Sequence, residues 1–339
     1  FIHRSFPLAK YFIIMWLSRL AFVVLLFQAS EVLTLQSPVT TNRRVRHHNF
    51  LLEVDETVQR VLAAYDNNGD TPLSDVPECD RQELVIARAL QTHLQDMEHK
   101  CPICWLQHNN YCCCADCPPV NEDPVLDRLF LVMHHREIGM GVDTAKLLLM
   151  SHPTRCRLVV AGIGSKYQSS MRELEDVIAN SNNRNCLVLF PDEASRPFHE
   201  IANERKEATR DLPNHDGWNL IVIDGTWQQA RRIKKRYFEE ESSRPIVQTT
   251  RLSDKTLSKL ERDMIDGELN PGHQLRKHSS SSRKVGTFEA VRLFLGDLQA
   301  EAAHDTMEVN NDTPPSWIQM EKYQQIANNA LQAQNEFPC

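Results

Sequence analysis

The chain has 339 residues, of which 41% are hydrophobic and 24% charged, an ordinary composition for a globular protein with one large domain or two smaller ones. With this fraction of hydrophobic residues, the chain is not too polar to bury a core. The formal net charge of -7 also argues against a basic field over the whole surface, so RNA binding would need a local basic cluster.

The N-terminal region contains an apolar stretch, residues 11–29, that resembles the hydrophobic part of a targeting signal. Residues 37–48 add three arginines and no acid, as transit peptides do. Residues 1–48 are therefore interpreted as a targeting or poorly ordered segment, with a membrane anchor or a wrongly included upstream sequence as alternatives. Arg19 disfavours a stable membrane span, so membrane association is expected only if residues 11–29 are retained. If this segment is a targeting peptide, the protein is expected in a plastid or mitochondrion. Otherwise, it is expected in the cytoplasm or nucleus.

Two helices are predicted next, because apolar residues recur at helical spacing over residues 51–64 and 79–100. They make residues 49–100 a helical extension. Asp66, Asn68 and Asp70 alternate in the turn between them, which suggests a calcium loop as an alternative. That alternative is weak, because Gly69 is out of place and position twelve is Pro77 instead of Glu.

A cysteine cluster follows, with five cysteines in fourteen positions and Cys117 close behind. The CxxC of Cys101 and Cys104 and the CxC of Cys112 and Cys114 offer four thiolates, the ligand set of a structural zinc site. Cys117 is the main competitor and His108 a minor one. The other cysteines are scattered, as expected of reduced thiols, and they are Cys79, Cys156, Cys186 and Cys339.

Short aliphatic runs then alternate with helical segments. The predicted strands are residues 129–133, 158–161, 187–190 and 220–223, and the predicted helices are residues 143–150, 169–180, 226–241 and 287–303. Continuous apolar strands alternating with helices predict an α/β fold, a parallel sheet with helices on both faces. Ligands bind at the carboxyl ends of such strands, which directs attention to the loops after Phe190 and Ile223. Residues 305–316 are interpreted as a linker and residues 317–334 as a short tail helix.

The loop after Phe190 supplies Pro191, which ends the strand, and the acceptors Asp192 and Glu193. A dinucleotide-binding loop at Gly162 and Gly164 is disfavoured, because Tyr167 occupies the third glycine position.

The loop after Ile223 carries Asp224-Gly-Thr-Trp227, in which Gly225 permits a tight turn, Thr226 can cap a helix and the indole of Trp227 can cover a base. The helix that follows contains a dense cluster of cations. Its members are Arg231, Arg232, Lys234, Lys235 and Arg236, and the pattern is typical of a phosphate-binding surface. A solvated helix face is the alternative.

Six elements between Cys101 and Leu295 together resemble the DTW-domain family, the tRNA-uridine aminocarboxypropyltransferases of the broader SPOUT-like group. In the family's order they are the cysteine segment with Pro118-Pro119, His134–Glu137 with Asp143–Ala145, Leu189–Pro191, Asp224–Trp227, Leu275-Arg276 and Gly286–Ala290. The chain departs from the usual pattern at three places. His-Pro-x-Glu, Asn-Thr-Ala and Ser-Thr-Leu-Glu-Ala are replaced by His134-His-Arg-Glu137, Asp143-Thr-Ala145 and Gly286-Thr-Phe-Glu-Ala290.

The resemblance implies a DTW domain over residues 101–300, with a zinc-type start at residues 101–117, a knotted C-terminal part, and a linker and tail over residues 301–339. It implies transfer of the 3-amino-3-carboxypropyl group of S-adenosylmethionine to nitrogen 3 of a tRNA uridine, releasing methylthioadenosine, with Asp224 as base or orienter. Zinc is then structural, and no stable protein partner is inferred. The expected cofactor-binding residues are Phe190, Pro191, Asp192, Gly225, Thr226, Trp227, Thr287 and Glu289, and the expected RNA-binding residues are Arg231, Arg232, Lys235, Arg236 and Arg276.

Three alternative functions stay open. An S-adenosylmethionine-dependent RNA methyltransferase would release S-adenosylhomocysteine instead. An rRNA aminocarboxypropyltransferase would differ in its acceptor, and a non-catalytic zinc-containing RNA-binding module would bind RNA without turnover.

Overall fold

The computed structural model of the chain describes residues 50–66, 71–107, 111–180, 185–209, 217–239, 247–265, 285–303 and 314–336. Within these ranges, none of the helices combines the length and apolar character that a membrane span requires. The apolar stretch at residues 11–29, Arg276 and His108 lie outside the described residues.

A parallel sheet of six strands forms the centre of the fold. The strands are β1 Leu126–His134, β2 Cys156–Ala161, β3 Cys186–Leu189, β4 Arg196–Pro197, β5 Trp218–Asp224 and β6 Gln248–Arg251. They lie in the order β2-β1-β5-β3-β6-β4, and every neighbouring pair is parallel. The predicted parallel α/β sheet is confirmed.

Ten α-helices surround this sheet in the described part of the chain. They are α1 Phe50–Tyr65, α2 Glu78–Gln95, α3 Lys146–Ser151, α4 Ser169–Asn180, α5 Phe198–Thr209, α6 Trp227–Lys234, α7 Asp254–Ile265, α8 Thr287–Ala303, α9 Ser316–Gln319 and α10 Tyr323–Glu336. Helix α6 continues as a π-helical turn, Lys235–Glu239. Short 3₁₀ helices occur at Leu73–Asp75 and Met320–Lys322.

The two faces of the sheet bury separate apolar clusters. Side chains alternate along a strand, so Leu129 and Leu131 of β1 enter one cluster while Phe130 and Val132 enter the other. The first cluster includes residues of α1, α2, α3 and α8, and the second includes residues of α4 and α6. Helices therefore cover both faces, as predicted. Each fully buried Leu, Val, Ile or Phe side chain stabilises the fold by about 1.5–3 kcal/mol relative to exposure.

Four elements were not predicted from the sequence, namely β4, β6, α5 and α7. Strand β4 has two residues, and β6 reads Gln-Thr-Thr-Arg, so neither has an aliphatic run that would mark it as a strand. Helix α2 ends at Gln95, before the predicted residue 100, because Lys100 instead forms an antiparallel bridge with Gln107.

The helices at both ends of the described chain share the core of the sheet. Val58 and Leu84 of the extension and Leu331 of the tail belong to the same cluster as Leu131 of β1. Tyr323 of α10 donates its hydroxyl to the carbonyl of Pro118. The predicted C-terminal knot depends on the path of residues 266–284, which lie outside the described residues, so the knot stays a prediction.

Candidate functional site

The carboxyl ends of three neighbouring strands meet at one edge of the sheet. Strand β5 lies between β1 and β3, so the ends of these strands bring His134, Asp224 and Phe190 to the same edge. In parallel α/β sheets this edge is where ligands bind. The structure therefore brings together the loops after Phe190 and Ile223, which the sequence had indicated as candidate ligand-binding loops.

Asp224 is the last residue of β5 and is only 6% exposed. Its Oδ1 atom accepts a hydrogen bond of 2.7 Å from the hydroxyl of Thr287, the first residue of α8. Two predicted site residues, 63 positions apart in the sequence, are thus in direct contact. This bond joins the end of β5 to the first residue of α8.

Gly225 makes the sharp turn after β5. Its φ of +150° lies in the range that side chains rarely adopt, and a Cβ atom there would stand 3.3 Å from His134 Cβ and 3.2 Å from Gln229 Cβ. The next residue, Thr226, caps α6 in a capping box with Gln229. The predicted tight turn and helix cap are both present.

His134 was not among the predicted site residues, although it stands at the end of β1. Its Nδ1 lies 3.2 Å from Gln229 Nε2, and its ring stacks on that of His135 with centroids 4.3 Å apart. Burial lowers the pKa of His134, and it lowers that of His135 to about 4. Neutral imidazoles at this edge can accept or donate a hydrogen bond without adding charge.

Two aromatic residues stack on each other, one in the loop after β3 and one at the start of α6. The rings of Phe190 and Trp227 are nearly parallel, at 11°, with centroids 5.1 Å apart. The guanidinium of Arg231 lies 5.0 Å from the centre of the Trp227 ring. This partly exposed stack of a cation and two rings is a chemically suitable neighbour for a base or an adenine.

Asp192 forms an ion pair with Lys234, with 2.6 Å between Oδ2 and Nζ. The Lys234 side chain is only 4% exposed, and Glu239 is its second partner. Burial opposes the charge, but the two carboxylates outweigh burial and raise the pKa of Lys234. Lys234 is therefore not part of an exposed phosphate-binding surface, which corrects the five-cation cluster inferred from the sequence. Asp192 can therefore bind a ligand only if the ligand shares this carboxylate with Lys234 or if the ion pair with Lys234 breaks.

Glu289 is held in a bidentate ion pair with Arg292, with distances of 2.6 and 2.7 Å. Arg292 in turn lies 5.9 Å from the ring of Trp317 in α9. Residues two apart in a helix point to different sides, so Glu289 does not share the side of α8 on which Thr287 meets Asp224. The geometry thus separates Glu289 from the strand-end residues with which the sequence had grouped it.

Four of the five cations of α6 and its π-helical turn are exposed, namely Arg231, Arg232, Lys235 and Arg236. Arg236 donates to the side chain of Gln82 in α2. Four of the five predicted RNA-binding residues therefore lie on one exposed helical segment, and one of them, Arg231, stacks on Trp227.

Asp143 is a further site residue that the sequence did not mark beyond its motif. It is 3% exposed, and its Oδ1 accepts the backbone N–H of Ala145 at 3.0 Å. Burial and then the charge of Asp224 raise the pKa of Asp143 well above its usual range. A Cβ on Gly286 would lie 3.6 Å from Thr144 Oγ1, so the segment with Asp143 adjoins the start of α8.

The cysteine cluster is a candidate metal site distinct from the strand ends. The Sγ atoms of Cys101, Cys104, Cys112 and Cys114 all lie within 4.8 Å of one another. Cys101 and Cys114 are 3.6 Å apart, and Cys104 and Cys112 are 3.8 Å apart. Four bonds of about 2.3 Å in a tetrahedron place sulfur atoms about 3.8 Å apart, so these residues fit a metal such as zinc. Cys117 is buried and is not a member of this group.

Thiols this close influence one another's ionisation. A hydrogen bond with Cys104 raises the pKa of Cys101 to about 11, whereas bonds from its neighbours, first of all Cys101, lower the pKa of Cys104. A divalent ion would favour several thiolates together, because metals bind the deprotonated form of cysteine. Lys146 is buried, and the charges of Asp143, Cys104 and Cys113 each favour its protonated form.

Comparison with known proteins identifies one family. A family model described as the DTW domain matches residues 98–313, which is more than half of the chain. Searches of curated proteins and of solved structures gave no significant match.

Proposed function

We propose, from the premise that this chain belongs to the DTW-domain family, that it is a tRNA-uridine aminocarboxypropyltransferase. The single observation that carries the proposal is the family match over residues 98–313. The contact between Asp224 and Thr287, at the edge of the sheet where ligands bind, supports it.

The proposed reaction forms one bond and breaks one. Nitrogen 3 of the uridine attacks the methylene carbon next to the sulfonium of S-adenosylmethionine. The carbon–sulfur bond breaks, its electron pair stays on sulfur, and methylthioadenosine leaves as a neutral thioether. The proton of nitrogen 3 goes to a base, for which Asp224 is the candidate. General-base catalysis of this kind contributes about 10²- to 10⁴-fold.

The residues around Asp224 have positioning roles in this proposal. Thr287 fixes one carboxylate oxygen of Asp224 and so sets the orientation of the carboxylate. The Phe190–Trp227 stack provides an aromatic surface for a ring of the uridine or the adenine. Gly225 and Thr226 set the turn from which Trp227 projects.

The transferred group carries an ammonium and a carboxylate, so the site needs an acceptor and a donor. The backbone N–H groups in the first turn of a helix have no partner within the helix, so those at the start of α8, near Gly286 and Thr287, suit the carboxylate. Of the two predicted acceptors, Asp192 is the better candidate, because it follows β3 at the same edge while Glu289 is paired with Arg292 elsewhere.

The four cysteines are proposed to hold zinc as a structural ion. Four sulfur ligands leave no open position, and the sulfonium is already a good leaving group, so this metal has no part in the transfer. The exposed cations of α6 are proposed to bind tRNA phosphates, together with Arg276.

The test is an assay of the purified full chain with unmodified tRNA and S-adenosylmethionine labelled in the aminocarboxypropyl group, followed by digestion to nucleosides. Labelled aminocarboxypropyluridine and methylthioadenosine are expected. S-adenosylhomocysteine as the product would identify a methyltransferase, and transfer to rRNA but not tRNA would identify the ribosomal alternative. RNA binding without turnover would leave a binding module.

A further inference from the structure

Lys146 is a buried cation that has no role in the proposed reaction. It is the first residue of α3 and is 1% exposed. Its Nζ atom donates to the carbonyl oxygen of Gly141 at 2.6 Å and lies 6.0 Å from the centre of the Trp105 ring. In the described part of the chain, no carboxylate forms an ion pair with it. A buried charge is costly unless an opposite charge compensates it, so Lys146 requires a counter-charge of another kind.

Asp143 and two cysteines are sources of negative charge that act on Lys146. Burial lowers the pKa of Lys146, and the charges of Asp143, Cys104 and Cys113 oppose that effect. Asp143 is a poor counter-charge, because its own burial raises its pKa well above the usual range and favours the neutral acid. The thiolates of the cysteine cluster are therefore the better source.

The turn that begins at Cys101 packs against the loop before α3. Within this turn, the N–H of Trp105 donates to the carbonyl of Cys101 at 2.9 Å, and that of Cys101 donates to the carbonyl of Leu106 at 2.7 Å. A Cβ atom on Gly141 would lie 3.5 Å from Leu106 Cδ2 and 3.9 Å from the backbone oxygen of Trp105. The ammonium of Lys146, bonded to Gly141 and close to the Trp105 ring, therefore lies beside the turn that supplies two of the four metal ligands.

A metal bound by the four cysteines would create a centre with excess negative charge. Four thiolates carry two more negative charges than one divalent ion neutralises. Cys101 and Cys104 are 4% and 0% exposed, so water does little to stabilise this charge. A buried ammonium and such a centre stabilise each other, because their attraction is little screened where water is excluded.

We propose that Lys146 is the buried counter-charge of the four-cysteine metal centre. Its ammonium stabilises the excess negative charge of the metal-bound thiolates, and the centre in turn makes a buried lysine stable at the start of α3. Through its bond to Gly141, Lys146 also holds the loop between β1 and α3 against the turn that begins at Cys101. The inference rests on the proposed zinc site and is independent of the proposed transfer reaction.

The test is competition for added Zn²⁺ between the purified full chain and a chromogenic chelator, which measures zinc affinity without any activity. Lys146→Met keeps an unbranched apolar side chain and removes the charge. Its zinc affinity should fall by about 10- to 100-fold relative to wild type, the usual loss when an outer partner of metal ligands is removed. Lys146→Gln is neutral but still offers a donor to Gly141. It should lose affinity to a similar extent, because the centre needs the charge and not the hydrogen bond.

Lys234→Met is the matched control, because the Lys234 side chain is only 4% exposed but is paired with Asp192 and Glu239 instead of lying beside the cysteines. Its zinc affinity should equal that of wild type, even where its melting temperature is lower. Equal losses of zinc affinity in Lys146→Met and Lys234→Met would show a general effect of removing a buried lysine and would overturn the proposal.

The two Lys146 variants separate the remaining outcomes. Wild-type zinc affinity in both would overturn the counter-charge, and so would wild-type affinity in Lys146→Gln alone, because only the hydrogen bond to Gly141 would then matter. Lys146→Gln also decides the question if Lys146→Met does not fold. A wild-type chain that does not compete for zinc would refute the proposed zinc site together with this inference, whereas unchanged variants of a zinc-binding chain would refute the inference alone.

Discussion

Asp224 ends a central strand, is nearly buried and has one oxygen fixed by Thr287, and these three properties suit the proposed general base. An amide in its place would keep the shape and could still pair with Thr287, but it could not accept a proton. The alternative role, that of a turn residue before the capping Thr226, needs only a hydrogen bond and tolerates Asn.

Asp224→Asn should therefore cut single-turnover transfer by at least about 10²-fold, with zinc content and S-adenosylmethionine affinity retained. Thr287→Val is the companion variant, because it removes the hydroxyl that orients Asp224 and leaves the carboxylate. It should cost less than Asp224→Asn. Turnover near that of wild type in Asp224→Asn would eliminate the catalytic role, and an equal loss of affinity would make Asp224 a ligand-positioning residue.

Gly225 is one of the described glycines at which a side chain would strain the backbone. Gly225→Ala would place a methyl group against His134 and Gln229 at a φ that alanine rarely adopts, and should destabilise the protein by about 1–3 kcal/mol. Denaturant unfolding measures this loss. Gly286→Ala is the control, because among the described residues its Cβ would meet Thr144 Oγ1 at 3.6 Å, an ordinary van der Waals contact. Equal costs at both positions would show that the turn is not strained.

At the scale of elements, α6 carries exposed cations on a chain of net negative charge. The helix starts at the strand edge, so RNA bound along it would enter beside the Phe190–Trp227 stack. Lys234 differs from its neighbours because its charge is already balanced by Asp192 and Glu239. The exposed members are thus the phosphate-binding candidates.

Replacing Arg232, Lys235 and Arg236 together with Gln should weaken tRNA binding and reduce the slope of log affinity against log salt by about 0.7–0.9 per lost phosphate contact. Binding measured at several salt concentrations tests this. Lys255 and Lys259, exposed on α7, provide a matched control whose replacement should leave the slope unchanged. If the two sets behave alike, the RNA surface lies elsewhere.

On the scale of the whole molecule, the cysteine cluster lies where several parts of the chain meet. Cys101 and Cys104 belong to the same apolar cluster as α1 and α2 of the extension and β1 of the sheet. Gln334 of α10 accepts the N–H of Gln107 at 3.0 Å, so the tail helix is attached to the cysteine segment. A metal at the cluster would therefore stabilise the packing of both ends of the described chain.

The purified chain should contain one zinc ion, and Cys101→Ser should remove it and lower the melting temperature before it affects the chemistry of transfer. Elemental analysis and thermal unfolding measure the two effects. Cys79→Ser is the control, because Cys79 is exposed and lies outside the cluster. A zinc content well below one, with the four cluster thiols open to alkylation in the folded protein, would contradict this prediction.

Local signals in the sequence were sufficient to predict the main strands, the group of four neighbouring cysteines and the turn at Gly225. An aliphatic run such as Leu220–Ile223 forms a strand in a parallel sheet that is buried on both faces. The CxxC and CxC spacings bring the thiols together because each pair is separated by only a few residues. The DTW family followed from motifs in a fixed order, which the family match over residues 98–313 confirms.

Only the tertiary structure decided which charged side chains are paired with each other and which carboxyl groups are buried. Lys234 and Asp192 are 42 positions apart, and Asp143 and Asp224 are 81 apart, so no local pattern relates them. Their partners are set by strand order, which places β5 between β1 and β3. Burial and pairing determine whether a side chain carries a charge, and both depend on residues that are distant in the chain.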